Sequence, residues 1–266
     1  MPSGRTSLMV TSRSVSSAVD SIHRLALAGP ANRQGRIAAE VIAGRDSRFR
    51  GTQGTSICQI FEGVIAQTGV SEKTLKRLED TDYEKIYLYP NSPAGYYPGA
   101  KYIAMKVLFR KSDGRLLGAQ MLGEDGVPKR IDSFAMAIQA GFTIYDLEES
   151  ELSYAPPFGS AKDPVNFAGM IAVDILRDDM PLSHWDTVEG GFLLDVRQPA
   201  ELTVEHVPGA VNIVSCSPSP LGDLLIKNYY ALEDNPKLAS ILVGFNMSLP
   251  FYFFTAVKRR PSTHFF

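Results

Sequence analysis

Three stretches of the chain alternate apolar and polar residues with a period of two: YEKIYLYP (83–90), KYIAMKVLFRK (101–111) and RLLGAQMLGE (115–124). That alternation is the pattern of a half-buried strand. A Ser-Asp-Gly turn at 112–114 joins the last two and makes them a hairpin. Upstream, TQGTSICQIFEGVIAQT (52–68) is rich in Thr and Ile and reads as one strand, with a bulge near Gly54. Successive half-buried strands with short joins predict an antiparallel sheet.

The period changes to that of a helix at four places. Over 30–43, Pro30 opens the pattern, Ile37, Ala38, Val41 and Ile42 form an apolar face, and Gly44 stops it. Over 128–141, Pro128 opens, Ile131, Phe134, Ala135 and Ile138 face inward, and Gly141 closes. A short helix is expected at 143–149 with Thr143 as its cap, and another over 160–177, broken at its start by Pro164. The last is rich in small and apolar residues, as for a helix packed on a sheet or on a partner.

Past a linker at 178–184, FLLDVRQPAEL (192–202) and HVPGAVNI (206–213) begin a new unit. It reads as a strand ending in Asp195 and Arg197, a helix start at Pro199-Ala200-Glu201, a Pro-Gly turn and a second short strand. ASILVGF (239–245) reads as one more strand. The apolar run over 241–257 is interrupted by Asn246, Ser248 and Pro250. It falls short of the roughly 20 apolar residues of a membrane span, and a degenerate core strand or an altered tail is expected instead.

The fold class predicted is therefore α+β: an antiparallel sheet flanked by helices, followed by an incomplete α/β unit. The expected divisions are an N-terminal extension (1–26), a main domain (27–177), a partial domain (185–245) and a divergent tail (246–266).

Composition narrows the function classes. A net charge of −2 gives no basic excess for nucleic acid. Two cysteines, Cys58 and Cys216, form no spaced pair, so neither a disulfide framework nor a metal site is expected, and a reducing compartment such as the cytoplasm fits. The first 19 residues contain no acid and carry Arg5 and Arg13 among Ser and Thr. That composition suits an organellar transit peptide, but weak amphipathicity favours a disordered extension. No G-x-G-x-x-G occurs, so the usual backbone cradle for a dinucleotide pyrophosphate is absent from the sequence. Cys58 lies within an apolar strand and reads as a buried structural thiol.

Three clusters in order carry candidate chemistry: LAGPANRQGR (27–36), AGYYPGAK (94–101) and YAPPFGSAKDPVN (154–166). Read singly, each has an ordinary explanation. Tyr-Tyr-Pro-Gly is a turn packed on a core, Ala-Pro-Pro-Phe is a rigid extended segment, and Lys162-Asp163 is a solvated pair. Their co-occurrence resembles the C-terminal dimerisation domain of the pyridine nucleotide–disulfide oxidoreductases, of the coenzyme A-disulfide reductase and NADH oxidase type. The 192–213 segment resembles the opening half of a rhodanese domain, with Glu205 in place of the glycine usual before the motif His206. No cysteine follows the 239–245 strand, where a persulfide-bearing loop belongs, and Cys216 stands too early for it.

The resemblance implies a half-site lent to a partner subunit. Tyr154 is implied beside the flavin and the thiolate, and Tyr96 (or its neighbour Tyr97) is implied as the second phenol there; both are catalytic candidates as proton donors. Lys162 is implied as a binder of coenzyme A phosphate or pantetheine groups, with Ser92 a weaker substrate-binding candidate. Asn32 is implied as a flavin contact at a helix N-terminus. The implied cofactors are FAD, shared with the partner, and NAD(P)H in the complete enzyme. The implied partners are a second copy or a full-length reductase subunit, and a coenzyme A-type thiol. The chain reads as a fragment of such an oxidoreductase, inactive alone. A non-catalytic dimerisation module and a rhodanese-related sulfurtransferase remnant are the alternatives.

Overall fold

The structure is a computed structural model. It describes residues 27–179, 182, 184, 194–195, 202–203, 206, 208–212, 240–244 and 254–258. The chain divides into two compact units, Met1–Val173 and Asp174–Phe266.

The first unit is built on a five-stranded antiparallel sheet. Its strands are β1 (Ser56–Ile60), β2 (Gly63–Gly69), β3 (Tyr83–Leu88), β4 (Ile103–Arg110) and β5 (Leu116–Gly123), in the order β1-β2-β5-β4-β3. Alternation sorts the side chains onto two faces. Ala66, Ala119, Met121, Ile103, Met105, Val107, Ile86 and Leu88 point to one face and are buried. The register sets Cys58, Ile65, Leu122 and Ala104 in a row on the other face. A second row there runs Ser56, Gln67, Gln120, Lys106, Tyr87. These two rows line an open hollow of about 590 Å³, with Ile65, Leu122 and Tyr87 exposed.

The helices are α1 (Ala28–Ile42), α2 (Glu72–Arg77), α3 (Val127–Ala140), α4 (Ile144–Glu148) and α5 (Pro164–Leu176). The buried face of α3, comprising Val127, Arg130, Ile131, Phe134, Ala137 and Ile138, contains three of the four apolar positions expected of it. Gly141 ends α3 in the left-handed conformation, and Thr143 with Asp146 forms a capping box on α4. The small residues of α5 are used inside the protomer. A Cβ on Gly169 would lie 2.4 Å from the Glu148 nitrogen, so α5 meets the α4 backbone only because that position is glycine. Beside it the Asn166 side-chain amide donates to the carbonyls of Leu147 at 3.0 Å and Ser150 at 2.7 Å, pairing carbonyls at the end of α4.

Two expectations are corrected. The single strand expected over 52–68 is a hairpin, turned at Phe61 and Glu62 between Ile60 and Gly63. Phe61 adopts φ 54, a left-handed conformation that costs a bulky residue energy and left no Gly-type turn signal to read. Cys58 is not a core thiol: it is exposed on the edge strand β1, on the open face.

One helix was not anticipated. In α2 only Leu75 is buried, too little for a periodic signal. Leu75 joins Leu108 and Leu117 in a core cluster at one end of the otherwise open face. Glu72 on the same helix meets Lys106, Lys85 and Lys76, the last two at 2.9 Å.

In the second unit β6 (Leu194–Asp195) pairs parallel with β7 (Val211–Asn212), and β8 (Ser240–Gly244) pairs antiparallel with β9 (Phe254–Lys258). The Pro208–Gly209 turn before β7 is present, with Gly209 at φ 83, and His206 is exposed. The expectations for 1–26, Arg197, the helix start at 199–201, Cys216 and most of the tail lie outside the described residues. Among the described residues no helix is long and apolar enough to cross a membrane.

Candidate functional site

Tyr96 and Tyr154 both stand on loops at the sheet's helix-covered side. Tyr96 lies between β3 and β4, where Tyr97 N donates to Ala94 O at 2.8 Å and Ser92 N to Lys101 O, folding the segment back on itself. Tyr154 leads into a turn closed by Phe158 N and Gly159 N on the Ala155 carbonyl. The two loops touch: Ala94 N donates to Pro156 O at 3.1 Å. Tyr96 is 82% exposed and Tyr154 is 61% exposed, so both phenols face outward in the single protomer. Phe158, also outward at 70%, adds an aromatic surface that the sequence reading passed over.

Lys162 is exposed, with its ammonium 5.6 Å from the centre of the Phe167 ring, a cation–π distance. Its neighbour Asp163 is not a solvated partner. Asp163 is buried and accepts from the Val165 backbone N–H at 3.1 Å, capping the start of α5.

Ser92 is placed differently from the expectation. It is buried, and its hydroxyl donates to Asp125 at 2.9 Å, so in this protomer it supports the Tyr96 loop from beneath. Asn32 is exposed but lies in the second turn of α1, past the unpaired amides of the helix start, since Ala31 N already bonds Leu27 O. Only its side chain is therefore available as a contact. Its neighbours Pro30 and Arg33 line a separate hollow of about 370 Å³ with Arg50, Thr52, Gln53 and Met136. The Ala94–Pro156 bond thus joins the loops of Tyr96 and Tyr154, with Lys162 a few residues further along the second, whereas Asn32 stands apart, next to but not in the lining of the second hollow.

Arg130 is a buried cation that the sequence pattern did not single out. It lies in the first turn of α3, with hydrogen bonds to both loops. One signal was available: α3 opens with Lys129 and Arg130 and has no acid in its first turn, although cations are disfavoured at a helix N-terminus. Such a charge needs another reason to be there.

Residues 56–164 match the family model described as the pyridine nucleotide-disulphide oxidoreductase dimerisation domain. The matched span contains the whole sheet and both tyrosine loops. Among curated proteins, the coenzyme A disulfide reductase of Staphylococcus haemolyticus is 37% identical over 150 residues, which is 56% of this chain and 33% of that protein. The same enzyme of Staphylococcus epidermidis is 36% identical over 144 residues, 54% of this chain and 32% of the other. The chain thus spans about a third of the length of the curated relatives it matches. Among solved structures, reduced Bacillus anthracis CoADR-RHD superposes with TM-score 0.76 at 42% identity, covering 82% of this chain and 39% of that one. An NAD-dependent persulfide reductase from A. fulgidus gives TM-score 0.69 at 32% identity, covering 77% of this chain and 37% of that one.

Proposed function

We propose that this chain supplies the dimerisation domain and half of the flavin and thiol site of an FAD- and NAD(P)H-dependent disulfide oxidoreductase of the coenzyme A-disulfide reductase type. A second copy, or a full-length reductase subunit, supplies the rest. The observation that carries this reading is the pair of outward phenols, Tyr96 and Tyr154, on two loops bonded to each other, with an exposed lysine, Lys162, eight residues after Tyr154. Ordinary core tyrosines would be sealed with their hydroxyls paired inside the protomer.

The residues present fit such a ligand. Lys162 offers a compact cation to a phosphate-bearing thiol. Arg33 and Arg50 in the hollow beside Asn32 suit an anionic cofactor edge. A bound flavin would supply the reducing electrons. The chain's own part is to orient the thiol and to hold a proton at the hydroxyls of Tyr154 and Tyr96, where a departing thiolate can accept it. Ser92 acts beneath this surface, through Asp125.

The open sheet face supports self-association. Ile65 and Leu122 expose apolar surface side by side on β2 and β5, and Tyr87 on β3 is exposed in the neighbouring row. Contiguous apolar surface of that kind is characteristic of interfaces. The same observation favours a second reading, a dimerisation module without catalytic role. For the second unit, the parallel β6–β7 pair and the Pro208–Gly209 turn support a rhodanese-related origin. A cytoplasmic location completes the proposal.

Two measurements test it. The purified full chain with added FAD and NAD(P)H should not turn over coenzyme A disulfide, because the sequence holds no dinucleotide cradle of the usual form; measurable turnover would overturn the half-site reading. Mixed with a full-length reductase subunit and repurified, the chain should retain a flavin absorption band that Tyr154→Ala and Asn32→Ala weaken. A mixed dimer with an unaltered band would favour the pure interaction module.

A further inference from the structure

Arg130 is 2% exposed and Asp163 is 1% exposed, and together they form a buried charge pair that no catalytic or binding role above uses. The guanidinium donates through Nη2 to Asp163 Oδ2 at 3.0 Å and through Nε to Asp163 Oδ1 at 3.4 Å. Nη2 also reaches the Ser92 carbonyl at 2.7 Å and the Phe158 carbonyl at 3.4 Å, while Nη1 reaches the Gly126 carbonyl at 3.3 Å. Lys129 adds a weaker hold at the rim, 3.5 Å from Asp163 and 3.0 Å from the Ser153 carbonyl.

These partners are distributed in a particular way. Ser92 lies four positions before Tyr96, Phe158 four positions after Tyr154, and Asp163 directly follows Lys162. One planar group therefore grips the chain close to each of the three outward candidate groups. The backbone around it is shaped to permit this. Gly126 stands at φ 76, and a Cβ there would lie 2.5 Å from Arg130 Nη1 and 2.9 Å from Ser92 Cβ. A Cβ on Gly159 would come within 3.4 Å of Arg130 Nη2.

We propose that Arg130 and Asp163 are positioning residues: the pair fixes the spatial relation of Tyr96, Tyr154 and Lys162, and so presets the half-site before any ligand or partner arrives. The value of this pair as a site-setting device rests on the reading of those three residues as ligand-facing. The clamp itself is a property of the protomer. Loops held only by turn hydrogen bonds open locally at little cost, whereas a buried, multiply bonded charge raises that cost. Lysine cannot substitute, because its three donors radiate from one atom, whereas arginine spreads five across a plane and reaches several loops at once.

The test is amide hydrogen exchange on the full chain, with Arg130→Lys compared to the unaltered protein. The clamp predicts that exchange in peptides covering 92–100 and 154–162 rises at least tenfold, while the β4 and β5 amides stay within twofold. Unchanged protection of both loops would overturn the proposal. So would a uniform rise across the sheet, which marks a merely structural role. If Arg130→Lys does not fold, Asp163→Asn, which keeps the volume and one acceptor, carries the same test with the same outcomes. The readout needs no flavin and no thiol, so it can fail while the half-site reading stands. Conversely, a tenfold loop response beside a flavin band indifferent to Tyr154→Ala would retain the clamp and reject the site.

Discussion

Ala94 and Pro156 are joined by a 3.1 Å hydrogen bond from the backbone N–H of the first to the carbonyl of the second. That contact makes one surface of two loops far apart in sequence, one carrying Tyr96 and the other Tyr154. The phenols are exposed while the backbone beneath them is fixed. Binding groups are characteristically displayed this way, on loops anchored to a rigid scaffold.

Exposure separates stability from function at these two positions. Tyr96→Phe and Tyr154→Phe should each leave unfolding free energy within about 0.5 kcal/mol, as for surface substitutions generally. In a mixed dimer with a flavin-bearing subunit the same changes should lower disulfide turnover about 10²-fold, the scale of a lost proton donor. Denaturant titration and a steady-state assay read the two effects. A large stability loss without a kinetic effect would make the phenols scaffold.

The antiparallel sheet was legible because β3, β4 and β5 alternate cleanly, and the Ser-Asp-Gly turn marked their hairpin. The helix α3 was legible from Ile131, Phe134 and Ile138, and α4 from Thr143. The β1–β2 turn was hidden because Phe61 occupies a conformation that sequence assigns to Gly or Asn. Cys58 was misplaced for a related reason: joining two strands into one removes the edge on which it sits. Tyr96, Tyr154 and Lys162 were singled out through clustering in order, and all three are exposed. Arg130 was not singled out, because its partners come from three separate segments that only the fold assembles.

Glu72 makes stability depend on pH. Burial pushes its carboxyl upward, but hydrogen bonds from Lys106, Lys85 and Lys76 outweigh that and hold it down at about 2, against an ordinary 4.5. A depressed carboxylate contributes stability that is fully present above the ordinary value and is lost as pH falls from there through the folded one. Screening at this partly exposed site reduces the contribution to about 1–2 kcal/mol. Thermal melts should therefore show the first unit losing stability between about pH 4.5 and pH 2, with Glu72→Gln removing that part of the dependence. A variant melting with the same pH profile as the parent would contradict this.

Gly169 should tolerate no side chain. A Cβ there would sit 2.4 Å from Glu148 N and 2.9 Å from Ile144 O, both backbone atoms that cannot rotate away. Gly169→Ala should cost about 1–3 kcal/mol by overpacking, despite its better helix propensity. Urea unfolding checks the sign, and a stabilised variant would show that α5 can lift off α4 freely.

The central claim is that this chain is built to pair, with the half-site completed across the interface. Sedimentation velocity on the purified full chain at tens of micromolar tests it most directly. The account predicts a dimer, converted to a folded monomer by Leu122→Lys, which places an uncompensated charge in the middle of the open face. A parent protein that sediments as a monomer at that concentration would contradict it.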